Sequence, residues 1–575
     1  MLGNEAIAAG AFDAGVKVGA AYPGTPSTEI MENFSRYTEV YAEWAPNEKV
    51  AMEVGCGASI AGARTLVAMK HVGVNVAADP LFTFAYTGVN GGLVIISADD
   101  PGMHSSQNEQ DNRGYGIFAK LPVIEPSDSQ EAYDYIRMAY DLSETFDTPV
   151  MFRITTRLAH AQGLVNSSEP KEPVLKDYKK DPAKFVMLPG FARARHLEVE
   201  KRMTALRQFA ESTPLNRIEW GDRKIGIVTS GAAYQYVREV MPEASVLKLG
   251  LTNPLPVDMI KEFAAGVERL VVVEELEPVI EQHIKAIGIK VQGKDIFPIT
   301  GEFTPELVAK VLLGIDAVTA YPLDNPVTPR PPLLCPGCPH RGVFHTLKKK
   351  RLVVAGDIGC YTLGAMKPLG AMDSCICMGA SIGTAMGMEK ARGAEYARKV
   401  VAVIGDSTFV HSGITGLVDM VYNRSHGTVM ILDNSTTAMT GHQEHPGTGR
   451  TITKEETNRL DLIGLITAIG VKHIQVVNPL DLKALEAAID AAVNHNDVSV
   501  IIAKHPCALL SKHKASRMMV DQELCNGCKT CIRVGCTGIA WDEELKKAYV
   551  KPSLCIECGL CPQVCKQDAI AVKEG

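Results

Sequence analysis

KVVAVIGDSTFVHSGITGLVDMVYNRSHGTVMILDN, residues 399–434, decides how this chain is read. Its two apolar runs, KVVAVIGD and GTVMILDN, have the near-continuous hydrophobicity of strands buried on both faces. One ends in Gly405-Asp406-Ser407 and the other in Asp433-Asn434. In a parallel α/β sheet these ends lie at the carboxyl edge, where such sheets bind ligands. An Asp carboxylate and an Asn carbonyl there suit a hard cation such as Mg²⁺, which also takes phosphate oxygens. The bland alternative is two unrelated strand ends with solvated carboxylates. The glycine-rich helix start at Met378-Gly379-Ala380, suited to close approach by a diphosphate, weighs against it.

The same rhythm extends outward. RLVVAGD and VSVIIAK read as further strands of a unit running from Cys335 to about residue 510, with a helix over Gly379–Arg392. Near the N-terminus VKVGAAY, TLVAMK, GGLVIISA, LPVIEP and PVMFRIT read as strands, with helices at 48–63 and 129–144. KIGIVTSG, SVLKLG and RLVVVEE open another α/β stretch. Alternating elements of this kind predict an α/β fold of doubly wound parallel sheets. Residues 166–223 lose the rhythm and read as a connecting region with one helix around Leu197–Ala210. YPLDNPVTPRPPLL, rich in proline, reads as an extended linker. The expected division is 1–165, 166–223, 224–320, a linker at 321–334, 335–512 and 513–575.

At 575 residues the chain is too long for one core. With 46% hydrophobic and 22% charged residues it is not disordered, and a net charge of −7 gives no nucleic-acid footprint. No apolar run approaches the roughly 20 residues that span a bilayer. MLGNEAIAAGAFDAG has neither the basic start nor the apolar core of a signal peptide. A cytoplasmic protein with no nucleic-acid or membrane partner is the expectation.

Eight of the 15 cysteines fall between Cys525 and Cys565, which in a cytosolic chain points to metal rather than disulfides. Cys555, Cys558, Cys561 and Cys565 have the C-x-x-C-x-x-C-x-x-x-C spacing of a bacterial ferredoxin, whose fourth cysteine serves the other cluster. Cys525, Cys528, Cys531 and Cys536 repeat it with one extra residue. Crossed pairing then gives one [4Fe-4S] cluster Cys525, Cys528, Cys531 and Cys565, and a second Cys555, Cys558, Cys561 and Cys536. The small tail therefore reads as a ferredoxin-like α+β domain. Zinc also takes four thiolates, but its sites usually use paired C-x-x-C units. Thr537 and Lys566 stand where a proline commonly follows the fourth cysteine.

With 26 residues between Ser407 and Asn434, the strand-end pair resembles the GDG…N motif of thiamine-diphosphate enzymes, Ser407 replacing the usual glycine. That resemblance implies Mg²⁺ held by the side chains of Asp406 and Asn434 and the backbone carbonyl of Thr436, with Gly379, Gly405, Ser407 and Met439 lining the cofactor. Such enzymes need a glutamate on a second α/β domain to hydrogen-bond the aminopyrimidine. Glu48, in NEKVAMEVGCGASIAGAR, fits, and Glu53 on the same helix competes. A first-turn glutamate is also a common dipole partner.

YPGTPST (22–28), GASIAGAR, CPGCPH (335–340), GDS…DN and the tail occur in one order. Together they resemble the large, alpha subunits of indolepyruvate ferredoxin oxidoreductases, within the wider 2-oxoacid:ferredoxin oxidoreductase family. The resemblance covers essentially the whole chain. It implies a pyrimidine-binding first domain, a transketolase-C-terminal-like second domain at 224–320 and a diphosphate-binding domain at 335–512. The implied reaction is oxidative decarboxylation of aryl 2-oxo acids, indolepyruvate first, then phenylpyruvate and hydroxyphenylpyruvate. Coenzyme A accepts the acyl group, ferredoxin the electrons, and a small beta subunit completes a heterotetramer. Thr25 matches the substrate-facing loop position, with a helix N-cap as the simpler role. The family's substrate arginine has no clear counterpart, and Arg113 is the candidate. His340 and His442 are candidate contacts to cofactor or substrate, or ordinary satisfied histidines. Cys335, Cys338, Cys360 and Cys507 match segments that hold a further cluster in the wider family. They read equally as small buried hydrophobes, the two tail clusters sufficing. The rival readings are a non-oxidative thiamine decarboxylase, which has no need of eight ferredoxin cysteines, and an electron-transfer scaffold, which has no need of Glu48, Asp406 and Asn434.

Overall fold

The apolar runs fold as strands in the computed structural model, which describes residues 1–172, 175–316, 327, 330–510 and 516–572. Much of the expected linker at 321–334 lies outside the described residues. The chain forms two compact units, Met1–Asp324 and Asn325–Gly575.

The first unit carries a seven-stranded sheet. Its order is Leu251–Asn253, Val123–Ile124, Val150–Thr155, Leu93–Asp99, Thr65–Lys70, Val18–Ala21, Tyr41–Trp44. All neighbours are parallel except the first pair. Leu93–Asp99 and Val150–Thr155 are buried along their whole length, as strands covered by helices on both faces must be. Helix Glu48–Ile60 follows the strand Tyr41–Trp44, and the Asn47 side chain starts it by accepting the Val50 N–H at 2.9 Å. A second sheet has the order Leu270–Val273, Asp222–Ser230, Ala244–Leu249, Asn216–Glu219, its last strand antiparallel.

Two edge strands depart from the sequence reading. Asn216–Glu219 lies in the stretch read as a connection, and Leu251–Asn253 leaves the second α/β stretch to join the first sheet. Both are too short for an apolar pattern and are fixed by polar contacts. The Asn216 side-chain oxygen accepts the N–H groups of Gly250 and Leu251, and the Asn253 amide donates to the Leu121 carbonyl at 2.6 Å.

The second unit holds a five-stranded, wholly parallel sheet in the order Val353–Ala355, Val400–Gly405, Thr428–Asp433, Ser499–Lys504, His473–Val477. Val401, Val403, Met430 and Leu432 pack into one core, and Ala402, Ile404, Val429 and Ile431 into another. This alternation defines a sheet with helices on both faces. The edge strand His473–Val477 is largely half-buried and carries no continuous apolar run, so the sequence reading missed it. Two antiparallel ribbons, Met518–Val520 with Ile570–Val572 and Ile539–Asp542 with Lys547–Val550, frame the cysteine-rich tail. Among the described residues no helix is long and apolar enough to cross a membrane.

Candidate active site

Asp406 and Asn434 meet at the carboxyl edge of the five-stranded sheet, both buried. The backbone N–H groups of Ser407 and Ser435 donate to the two Asp406 carboxylate oxygens, each at 2.9 Å. The outer atom of the Asn434 amide lies 3.2 Å from Asp406 Oδ1 and 2.8 Å from the Thr436 carbonyl. If that atom is oxygen, three acceptors face one another with no hydrogen between them. If it is nitrogen, the amide donates to both. A hard divalent cation relieves the all-oxygen arrangement equally well, so the three groups fit Mg²⁺. His445, not singled out by sequence, stands behind them with Nε2 3.4 Å from Asp406 Oδ2.

The neighbouring glycines have separate reasons. Gly379 adopts φ 85° at the start of helix Ala380–Arg392, and a Cβ there would meet the Ser412 Cβ at 2.4 Å. The N–H groups of Gly379 and Ser381 are already taken by the Asp357 carboxylate, at 2.8 and 2.9 Å, so a diphosphate at this helix start would share it with a buried acid. Gly405 is small because the Tyr361 ring presses on it, 2.7 Å from where a Cβ would sit. Ser407 Oγ accepts from Thr437 at 3.0 Å, and Met439 is exposed. His442 Nε2 lies 3.8 Å from Cys507 Sγ. His340 is buried with its ring edge toward Tyr361, and burial pushes its pKa down to about 4, so it is neutral at pH 7.

In the first unit Glu48 is buried at the first turn of its helix. Gly73 makes room for it: a Cβ at Gly73 would come within 2.7 Å of the carboxyl group. Glu53 is half-exposed and ion-paired with Lys49, which separates the two competitors. Lys70, missed by sequence, lies along Gly24 of the YPGTPST loop and donates to the Ser105 carbonyl at 3.0 Å. Burial lowers its pKa to about 8 against the pull of Asp100 and Glu48. Thr25 is half-buried in that loop, and Ser27 rather than Thr25 precedes the helix Thr28–Phe34. Arg113 corrects the reading of it as a substrate group. It is 1% exposed, pairs with Asp111 at 2.6 Å and Glu274 at 2.7 Å, and donates to the carbonyls of Glu275 and Glu277. Its donors are spent tying the two sheets of the unit together.

Among the described residues no three or more His, Cys, Asp or Glu side chains close in on a single ion's position. The cysteines gather more loosely, in three groups. Cys525, Cys528, Cys531 and Cys565 line one small cavity. Burial pushes the Cys531 thiol up to about 11, with Cys565 and Cys525 adding to it. Cys558 and Cys561 are likewise raised by burial and then by Cys536 and Cys555. At the sheet edge burial raises Cys338 to about 12 and Cys360 to about 11. Cys335 adds to both shifts, Cys360 to that of Cys338 and Cys507 to that of Cys360, so segments far apart in sequence converge. The Cys507 N–H donates to the Asn434 carbonyl at 2.9 Å, joining this group to the oxygen cage. A Cβ on Gly337 would clash with Ile556, so its absence lets the Cys335–Cys338 loop touch the Cys555–Cys558 loop.

Two family models match the chain. The model for pyruvate flavodoxin/ferredoxin oxidoreductase thiamine-diphosphate-binding domains covers residues 9–210, and that for the C-terminal thiamine-pyrophosphate-binding domain of thiamine pyrophosphate enzymes covers 357–503. Indolepyruvate oxidoreductase subunit IorA of Archaeoglobus fulgidus is 41% identical, over 99% of this chain and 97% of its own. The same subunit of Pyrococcus abyssi is 41% identical, over 100% and 97%. A solved 2-oxoglutarate:ferredoxin oxidoreductase from Magnetococcus marinus aligns over 55% of this chain and 64% of its own, at 18% identity and a TM-score of 0.46, below the level at which a shared fold would follow. On the full-length identity, the chain belongs to the family of indolepyruvate oxidoreductase IorA subunits, among the thiamine-diphosphate-dependent 2-oxoacid:ferredoxin oxidoreductases.

Proposed function

We propose that this chain, with a small beta subunit, converts aryl 2-oxo acids and coenzyme A to aryl-acetyl-CoA and CO₂, reducing ferredoxin. Indolepyruvate is the first substrate, phenylpyruvate and hydroxyphenylpyruvate the next. The observation that carries this reading is the hydrogen bond from Cys507 to Asn434, which joins an oxygen cage suited to Mg²⁺ to a file of cysteine groups. A decarboxylase that keeps its electrons has no use for that connection.

Thiamine diphosphate, when bound, supplies the carbon nucleophile for the 2-oxo group. The residues do the rest. Asp406, Asn434 and the Thr436 carbonyl would hold Mg²⁺, the counter-ion of a diphosphate. Glu48 would hydrogen-bond the aminopyrimidine from a buried position that keeps water away. Thr25 faces substrate, with Lys70 beside its loop. His340, neutral, is a hydrogen-bonding partner and not a proton donor. Cys525, Cys528, Cys531 and Cys565 hold one [4Fe-4S] cluster, and Cys536, Cys555, Cys558 and Cys561 a second. Cys335, Cys338, Cys360 and Cys507 would hold a third. The domain bounds expected from sequence are kept as the proposed division, with Asn216–Glu219 counted to the second sheet and Leu251–Asn253 to the first.

The test is an anaerobic assay of the chain with its beta subunit, each aryl 2-oxo acid and coenzyme A, with ferredoxin or methyl viologen. Acceptor-dependent aryl-acetyl-CoA is the expected product. Acceptor-independent CO₂ release would mark a decarboxylase instead, and no turnover a scaffold.

A further inference from the structure

A groove of about 680 Å³ in the second unit lies between helix His340–Lys350, helix Leu482–Val493 and the tail. Lys348, Lys349, Lys483, Arg533 and Lys566 line it, against one carboxylate, Glu486. The chain as a whole has 59 basic and 66 acidic side chains, so five cations to one anion is a local reversal of its balance. Glu486 is occupied by Lys349, and Lys348 donates to the Pro368 carbonyl. Among the described residues Lys483, Arg533 and Lys566 make no ion pair and no side-chain hydrogen bond. Their charge is free for a partner.

The position of the groove narrows the partner. Cys565 and Thr530 form part of its wall, and Thr530 Oγ1 lies 3.3 Å from the Sγ of Cys528, the exposed thiol among the eight of the tail. An electron leaving through this cysteine group therefore emerges beside a cationic surface. Coenzyme A also carries phosphates, but its thiol is needed where the substrate carbonyl reacts, and the groove opens on the tail.

We propose that this groove is the docking site of an acidic iron–sulfur electron-carrier protein, steered by Lys483, Arg533 and Lys566 to the Cys525–Cys528–Cys531–Cys565 group. The inference rests on the ferredoxin-reducing reading above, yet binding is measurable without turnover. Complementary charge at an interface rim acts mainly on encounter rate and salt dependence. The probe is a small acidic two-cluster ferredoxin, oxidised, titrated calorimetrically into the full chain with its beta subunit at low ionic strength. Lys483→Glu/Arg533→Glu should weaken binding at least about tenfold and flatten its salt dependence, while Lys224→Glu, on an exposed site of the first unit, changes nothing. Single Lys483→Glu should raise the KM for ferredoxin and leave methyl viologen reduction and iron content as they were. Unchanged ferredoxin binding in the double variant, or a raised KM for coenzyme A with ferredoxin unaffected, overturns the assignment. Charge-dependent binding in a preparation that turns over no 2-oxo acid would keep the groove and sink the catalytic reading instead.

Discussion

The seven-stranded and five-stranded sheets each present a buried carboxylate at a strand's carboxyl end, and they surround it with opposite chemistry. Glu48 follows the edge strand Tyr41–Trp44 of the seven-stranded sheet and sits over Gly73, with an amine, Lys70, within electrostatic reach. Asp406 follows Val400–Gly405 of the five-stranded sheet and faces the amide of Asn434 and the carbonyl of Thr436. One carboxylate is packed against a glycine, with an amine as its charged neighbour. The other sits among acceptors that only a cation or a turned amide reconciles. The same architecture thus gives a buried carboxylate two different settings, through the neighbours each strand end is given.

Removing either carboxylate tests that contrast. Asp406→Ala should have the largest effect, with Mg²⁺ and thiamine diphosphate lost together on gel filtration and turnover abolished. Stoichiometric cofactor retained by the variant would sink the cage. Glu48→Ala should keep cofactor and iron but lower turnover by about 10²–10⁴-fold, the range of a general acid–base contribution. Glu53→Ala should be near normal, since its carboxylate is exposed and paired with Lys49. The reverse ranking would transfer the role to Glu53.

What sequence made legible follows the same division. Continuous apolar runs such as KVVAVIGD and PVMFRIT announced buried parallel strands, and fixed cysteine spacing announced the groups of the tail. Short edge strands such as Leu251–Asn253 gave no pattern because backbone pairing and the Asn216 and Asn253 amides define them. Arg113 looked available because Glu274, its partner, lies 161 residues away. His445 and Lys70 were missed for a related reason: each is marked only by what the fold sets against it, Asp406 in one case and Gly24 in the other. Charge partners distant in sequence are invisible until the chain closes.

A smaller effect separates the sheet-edge cysteines from those of the tail. Anaerobic iron analysis should give about twelve irons per chain with three cubanes and about eight with two. Cys507→Ala should then lose about a third of the iron and slow ferredoxin reduction, with the tail groups intact. No iron lost, with full ferredoxin reduction, would return Cys335, Cys338, Cys360 and Cys507 to the role of buried hydrophobes.

The smallest expected effect concerns Lys70 and is read in stability. Burial lowers its pKa from the ordinary 10.5 to about 8. Between those pH values the unfolded chain binds more protons than the folded one, so this group makes stability rise with pH across the window. Below pH 8 the cost of burying the charged amine is at its full size. Lys70→Met removes that cost and should stabilise the first unit near pH 7 by at most roughly 3 kcal/mol. The advantage should fade as pH rises through 10.5, above which the amine is neutral in both states. Hydrogen exchange of the strands Thr65–Lys70 and Leu93–Asp99 at the two pH values reads it directly. An equal gain at both would mean that packing, and not charge, sets the difference, and would remove Lys70 from the electrostatics around Glu48.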